Sequence, residues 1–186
     1  MTVSTTATPT SLTPVDTATA TSSTPVDTAT PTSATPVESP TPTALPDGSL
    51  TGQVLAGKPI TVGLYSGTTL VTSVTANNDG TFSLTAPAGS YTILATSSGF
   101  LSAQGSATIT GGSPATKPTV TLLAGDIDGN NVIDQFDALT IGMNYNGTTP
   151  SAADLNNDGV INVLDLELLA DNYRATGPIA WEVSYP

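Results

Sequence analysis

Two twelve-residue phrases, DIDGNNVIDQFD from Asp126 and DLNNDGVINVLD from Asp154, repeat at an offset of 28 residues and constrain this chain more than any other feature. Aligned, Asp126, Asp128, Asn130, Val132, Asp134 and Asp137 face Asp154, Asn156, Asp158, Val160, Asn162 and Asp165 at positions 1, 3, 5, 7, 9 and 12. Oxygen donors at 1, 3 and 5, a backbone carbonyl at 7, a donor at 9 that often acts through water, and a carboxylate at 12 make the calcium cage of an EF-hand loop. Calcium takes six to eight oxygens at about 2.3 to 2.6 Å, whereas magnesium demands a tighter octahedron and would be the weaker occupant. The expectation is two Ca²⁺ ions, one per loop. Seven carboxylates across the two loops would repel one another without a cation.

Position 6 of such a loop needs left-handed backbone; Gly159 supplies it in the second loop and Asn131, the next most tolerant residue type, in the first. Position 12 is Asp in both loops where an EF-hand usually has Glu, so the helix carrying this shorter arm must sit closer. The residues that follow superpose at the same offset, Phe136 on Leu164, Ala138 on Leu166, Ile141 on Leu169 and Tyr145 on Tyr173. Helical spacing places 138, 141, 145 and their counterparts 166, 169, 173 on one face each, which predicts two helices packed on each other. Metal binding is then expected to be part of folding.

The doublet resembles the dockerin domain, whose two loop-helix repeats carry Asp at position 12 and lack the entering helix of an EF-hand. That resemblance covers about a quarter of the chain and implies a cohesin domain as partner, the means by which an enzyme is placed on a scaffold. It assigns recognition to positions 10 and 11 of each loop, commonly Ser-Thr in clostridial dockerins and here Gln135-Phe136 and Val163-Leu164. A later pair, often basic in the family, is Gly142-Met143 and Ala170-Asp171. Gln135, Phe136, Met143, Val163 and Leu164 are therefore the partner-binding candidates. This apolar face fits either a hydrophobic, type II-like interface or burial against the rest of the chain.

Upstream, residues 47–123 read as all-β. SLTGQVL, ITVGLY, LVTSVT, TFSLT, SYTILAT, a run from Phe100 to Ile109 and PTVTLL are separated by turn signals such as Gly57-Lys58-Pro59 and Asn77-Asn78-Asp79-Gly80. The alternation of Ile60, Val62, Leu64 and of Phe82, Leu84 with Thr and Ser predicts a sandwich of about seven strands, each sheet burying one face. The order G-x-V at Gly52, KPITVGL at Lys58, DGTFSL at Asp79, GSYTI at Gly89 and GF at Gly99 resembles the carboxypeptidase-regulatory-like, or transthyretin-like, β-sandwich. In that family the module is structural and carries no active site. Only Ala124 and Gly125 separate the last run from the first loop, so the two modules are expected to be docked.

Residues 1–46 differ again: Thr, Ser and Pro supply 30 of the 46, leaving almost nothing to bury against the entropy of folding. An 11-residue repeat runs through TPVDTATATSS, TPVDTATPTSA and TPVESPTPT, and its prolines favour an extended polyproline II chain. A spacer and an O-glycosylated stalk both match this composition, with Thr13, Thr17, Thr19, Thr24, Thr28, Thr30, Thr35, Thr41 and Thr43 as candidate glycan sites. MTVSTTATPT has neither the basic nor the apolar region of a signal peptide, so an exported protein would be represented here by a mature or partial chain. The organisation read from the sequence is an extended segment (1–46), the sandwich (47–123), the dockerin-like domain (124–175) and a tail (176–186). In that tail Trp181 and Tyr185 are expected to cover apolar surface, with contact to a neighbour or to sugar as the alternative, and Asn146-Gly147-Thr148, although a sequon, to form the turn between the repeats.

The formal net charge of −12 rests on 15 acidic residues against Lys58, Lys117 and Arg174, which disfavours nucleic acid and anionic lipid as partners. With no Cys and no His, thiolate and imidazole sites and histidine-activated nucleophiles are excluded. No apolar run reaches the roughly 18 residues of a membrane-spanning helix. An enzyme is not expected: the carboxylates are committed to calcium, and neither a serine elbow nor a phosphate loop is present. The main expectation is a calcium-stabilised structural subunit of an extracellular or cell-surface assembly of bacterial type, binding copies of itself through a glycosylated connector. The alternative is a docking module that attaches its chain to a cohesin-bearing scaffold.

Overall fold

The computed structural model describes residues 45–181; the Thr/Pro repeat, with all nine candidate glycan sites, and Tyr185 lie outside them. Period-two burial sets the strands. In β2 (Ile60–Ser66) Ile60, Val62 and Leu64 are buried, and in β4 (Thr81–Pro87) Phe82, Leu84 and Ala86 are buried between exposed Ser83 and Thr85.

One sheet is built on β1 (Asp47–Leu55), which pairs antiparallel with β4, placing Leu50 opposite Leu84. On its other side β1 takes two short parallel strands, β8 (Pro114–Thr116) and β9 (Val120–Thr121). The second sheet has the order β11-β7-β5-β2-β3, with β3 at Thr69–Thr75, β5 at Gly89–Ser97, β7 at Ala103–Ile109 and β11 at Ile179–Ala180. Leu64 lies opposite Ile93 in its centre, both fully buried. The sheets enclose Val54, Val62, Leu64, Ile93, Ala95 and Leu101, an all-β core of the expected kind.

Five of the seven predicted runs form single strands, one is divided and one is shortened. The stretch from Phe100 to Ile109 changes partners: β6 (Gly99–Phe100) pairs with β10 (Ala124–Asp126), fully buried Leu101 donates its N–H to the Leu123 carbonyl at 2.9 Å, and only from Ala103 does the chain join β5. PTVTLL contributes only Val120–Thr121, because Pro118 has no N–H for a ladder and its carbonyl instead accepts the Trp181 indole N–H at 2.8 Å. The tail reading of Trp181 becomes more definite. β11 adds parallel to β7, and Trp181 caps the sandwich core edge-on to Phe82, with ring centroids 5.8 Å apart.

After β10 come α1 (Gln135–Met143), a short 3-10 turn at Ser151–Ala153, and α2 (Val163–Asp171). Ile133, Ile141, Leu155, Ile161 and Leu169 are buried in the same continuous core as the sandwich residues. The helix faces need correction. Ile141 and Leu169 are buried and Ala138 partly so, but Leu166, Tyr145 and Tyr173 are exposed. Helices of nine residues make about two and a half turns. Both tyrosines fall beyond the last turn, and Leu166 faces solvent. The inner face instead meets β10: a Cβ on Gly125 would lie 3.3 Å from Leu169 Cγ and 2.7 Å from Ile133 Cγ2.

Candidate metal centre and partner face

Each helix begins with a reciprocal cap written by its loop. Asp134 Oδ1 accepts the Phe136 N–H at 2.7 Å while Asp137 Oδ2 accepts the Asp134 N–H at 2.9 Å. In the second repeat Asn162 accepts from Leu164 at 2.7 Å and Asp165 accepts from Asn162 at 2.8 Å. Positions 9 and 12 thus fix the helix start as well as facing the loop, and carboxylates in the first turn suit the helix dipole. The second oxygen of each position-12 Asp gathers the loop's opening: Asp137 accepts from Ile127 and Asp128, Asp165 from Leu155 and Asn156. Both residues are fully buried, consistent with the close approach that a shorter arm requires.

The two repeats are locked by exchange. Ile133, position 8 of the first loop, pairs with backbone that follows the second helix: its N–H reaches the Ala175 carbonyl at 3.0 Å and its carbonyl accepts from Arg174 at 2.8 Å. Ile161, position 8 of the second loop, pairs with backbone following the first helix, giving to Gly147 and accepting from Asn146, each at 2.8 Å. Asn146 and Arg174 take matching left-handed conformations at φ 62° and 72°. The Asn146-Gly147-Thr148 stretch forms part of this inter-repeat crossing.

In the first loop, carboxylate oxygens of Asp126, Asp128 and Asp137 all lie within 4.8 Å of one another. Ligands at about 2.5 Å from one calcium ion stand no more than about 5 Å apart, so the spacing suits a shared cation. Asp126 Oδ2 accepts from the Asn131 N–H at 3.2 Å, but its buried Oδ1 has no hydrogen-bond partner. An orphaned buried carboxylate oxygen is costly, and a cation is the group that would complete it. Burial pushes the Asp126 carboxyl up, and the charges of Asp137 and Asp128 push the same way. Asn130 accepts from Val132 N–H at 2.7 Å and gives to Asp128, holding positions 3 and 5 together. Asn131 adopts φ 63°, the left-handed conformation expected at position 6.

The second loop has the same trace and a different balance. Asp154 uses both oxygens on backbone, accepting from Asp158 at 3.1 Å and Gly159 at 2.9 Å, with Gly159 at φ 90°. Asp158 is exposed and turned toward Asn156 and Asn162, and its hydrogen bonds from the Asn156 side chain and the Val160 N–H hold its carboxyl below the usual range. The Val160 carbonyl accepts from Asn162 at 3.1 Å.

Both loops are tied to the sandwich by contacts between segments far apart in the sequence. Asn131 accepts the Ser102 hydroxyl through its side chain at 2.8 Å and the Gly177 N–H through its carbonyl at 2.8 Å. Lys58, read as part of a turn, as the start of KPITVGL and as one of three cations, is buried, and its ammonium donates to the Ser151 carbonyl just ahead of the second loop. Gly99, at φ 82°, admits the Ala152 carbonyl where a Cβ would fall 2.2 Å from it. One signal was available: in so acidic a chain each cation needs an account.

The partner candidates are not covered by the sandwich. Phe136, Met143, Val163 and Leu164 are 57%, 76%, 50% and 48% exposed, Gln135 is also exposed, and Leu139 and Leu166 extend the apolar surface. Of the two readings open for this face, burial against the chain's own β-domain is thereby removed.

Residues 124–172 match the family model described as the dockerin type I domain, about a quarter of the chain. A search of curated proteins returns no match. Among solved structures, an N-terminal interface mutant of a type II cohesin–X-dockerin complex from Acetivibrio cellulolyticus aligns with TM-score 0.56 and 20% identity, covering 69% of this chain and 97% of that one. A C-terminal interface mutant of the same complex aligns with TM-score 0.55 and 22% identity over the same shares. The likeness is one of fold, and its span is too long for the dockerin segment alone. The chain therefore carries, at residues 124–172, a dockerin-like doublet of calcium-type loops joined directly to a preceding β-sandwich.

Proposed function

We propose that this chain is a non-catalytic docking module that binds a cohesin-type protein through the exposed faces of α1 and α2. The observation that carries the reading is the apolar surface of Phe136, Leu139, Met143, Val163, Leu164 and Leu166. Six large apolar side chains left in water on two nine-residue helices mark an interaction site, and aromatic and Met side chains suit a hydrophobic partner core. The dockerin match and the cohesin complexes among the structural neighbours support a protein partner of this kind. Titration calorimetry against a recombinant type II cohesin tests it. Submicromolar, calcium-dependent binding is expected, and no heat with a folded chain would overturn the reading.

In this proposal two calcium ions hold the face in shape. Asp126, Asp128, Asn130, Asp134, Asp137 and the Val132 carbonyl would hold one, and Asp154, Asn156, Asp158, Asn162, Asp165 and the Val160 carbonyl the other. Bound calcium supplies counter-charge to each carboxylate group and a fixed origin for the helix that follows.

The other expectation, a self-assembling surface subunit with a glycosylated connector, draws its support from the Thr/Pro repeat and from the absence of the polar residues common at the recognition positions. Family and fold support docking better, so residence outside the cell and glycans on the connector are kept as attached proposals. Intact mass of natively produced protein above that of the bare chain, and polymer on sizing columns, are the observations that would restore it.

A further inference from the structure

We propose that residues 175–181 are a strap through which calcium at the first loop controls the seating of Trp181, and with it the joint between the dockerin-like doublet and the sandwich. The inference rests on the calcium reading above and extends it from the helices to the β-module.

Burial along this segment alternates residue by residue. Ala175, Gly177 and Ile179 are partly buried, Thr176, Pro178 and Ala180 are exposed, and Trp181 is buried. The covered set forms one ladder with two partners. The Ala175 carbonyl accepts from Ile133 at 3.0 Å and the Gly177 N–H reaches the Asn131 carbonyl at 2.8 Å; then the Ile179 N–H reaches the Ser102 carbonyl and the Trp181 N–H the Gln104 carbonyl, each at 2.7 Å. Pro178 falls in the exposed set, where its missing N–H costs no rung. Two rungs thus belong to the first loop and two to the sandwich. The Ser102 hydroxyl closes the ring by donating to the Asn131 side chain.

Residues 131–133 lie between the strap and the oxygen cage. While the Asn131 carbonyl and the Ile133 N–H serve the strap, the Asn131 N–H is held by Asp126 at 3.2 Å and the Val132 N–H by Asn130 at 2.7 Å. The Val132 carbonyl is the donor expected at position 7. The residues that would hold the ion therefore also hold the first two rungs in place. In chelator, repulsion among the carboxylates of Asp126, Asp128 and Asp137, whose oxygens lie within 4.8 Å of one another, loosens this stretch and leaves the strap to Ile179 and Trp181. The far end is closely fitted: a Cβ on Gly105 would overlap the Trp181 carbonyl. Linkage makes the effect reciprocal, so a seated strap raises the calcium affinity of the first loop. The second repeat meets the sandwich elsewhere, through Ser151 at Lys58 and Ala152 at Gly99.

The one tryptophan of the chain sits at the sandwich end of the strap, so its emission reads the seating. Calcium is titrated into the full chain from chelator, with uptake followed by calorimetry and Trp181 by fluorescence. The wild-type emission is expected to move to shorter wavelength as calcium binds. Asp154→Ala, which keeps the first loop, should retain that shift at saturating calcium, and Asp126→Ala should lose it. In the reverse direction Gly105→Ala crowds the Trp181 carbonyl off its seat. It should weaken the first site, measured alone in the Asp154→Ala background, about tenfold, and leave the second, measured in the Asp126→Ala background, within about twofold. Amide protection of Leu64 and Ile93 is the folding control. If Gly105→Ala loses it, Ile179→Pro, which removes the N–H of the third rung, takes its place, and if both lose it the emission of the two carboxylate variants decides alone. A shift that persists in Asp126→Ala, a shift lost in Asp154→Ala, or an unchanged first site in a folded strap variant overturns the strap. Calcium uptake by the wild-type chain without any shift overturns it as well and leaves the calcium reading standing, whereas no uptake overturns both.

Discussion

The Ser102 hydroxyl donates to the Asn131 side-chain oxygen at 2.8 Å, joining the point where the chain leaves β6 for β7 to position 6 of the first loop. Asn131 is thus asked for two things, a left-handed backbone at φ 63° and an acceptor aimed at the sandwich. Asn131→Ala removes the acceptor and adds backbone strain, together about 1 to 3 kcal/mol. Asn131→Gly removes the acceptor and keeps the conformation, so it should lose less. Denaturant unfolding of both variants in saturating calcium checks the order, and equal losses would show that the backbone requirement is not felt.

Asp126→Ala and Asp154→Ala each remove position 1 of one loop. Calorimetric titration should show the calcium stoichiometry falling from two to one in each case. The surviving site differs between the variants, and two ions bound to either variant would count against position 1 as a ligand.

Phe136 and Leu164 occupy the same position of the two repeats and are both about half exposed. Phe136→Asp and Leu164→Asp place a charge on the proposed face without disturbing the core. Each should weaken cohesin binding by about tenfold or more while leaving helical circular dichroism unchanged. Binding retained within about twofold in both variants would move the partner site elsewhere.

Trp181 is the chain's one tryptophan, so its fluorescence reports on the sandwich alone. It fills space against Phe82, donates its indole N–H to the Pro118 carbonyl, and gives its own carbonyl to the Lys117 ammonium at 3.0 Å. Trp181→Ala should cost about 3 to 5 kcal/mol of stability, and the milder Trp181→Phe should lose less by keeping the edge-on ring contact. Denaturation midpoints followed by circular dichroism check this. A loss below about 1 kcal/mol for the Ala variant would mean that β11 is not an integral strand.

Much of this protein is written locally. The spacing of oxygen donors from Asp126 to Asp137 and from Asp154 to Asp165 specifies two loops and their following helices, because a ligand cage and a helix cap are built from neighbours within twelve residues. The alternation in β2 and β4 specifies which side chains face inward for the same reason. What sequence could not supply are meetings of distant segments. Ile133 with Arg174 and Ala175, Lys58 with Ser151, Ser102 with Asn131 and Trp181 with Pro118 depend on where folded elements come to rest. The helix faces make the point most clearly: periodicity placed Leu166, Tyr145 and Tyr173 in a helix-helix seam, and the structure leaves them in water. An amphipathic pattern shows that a face seeks an apolar partner, but β10, Ile133 and Ile161 had already taken the space beneath, and only the tertiary arrangement could decide that the outer apolar residues remain open to another protein.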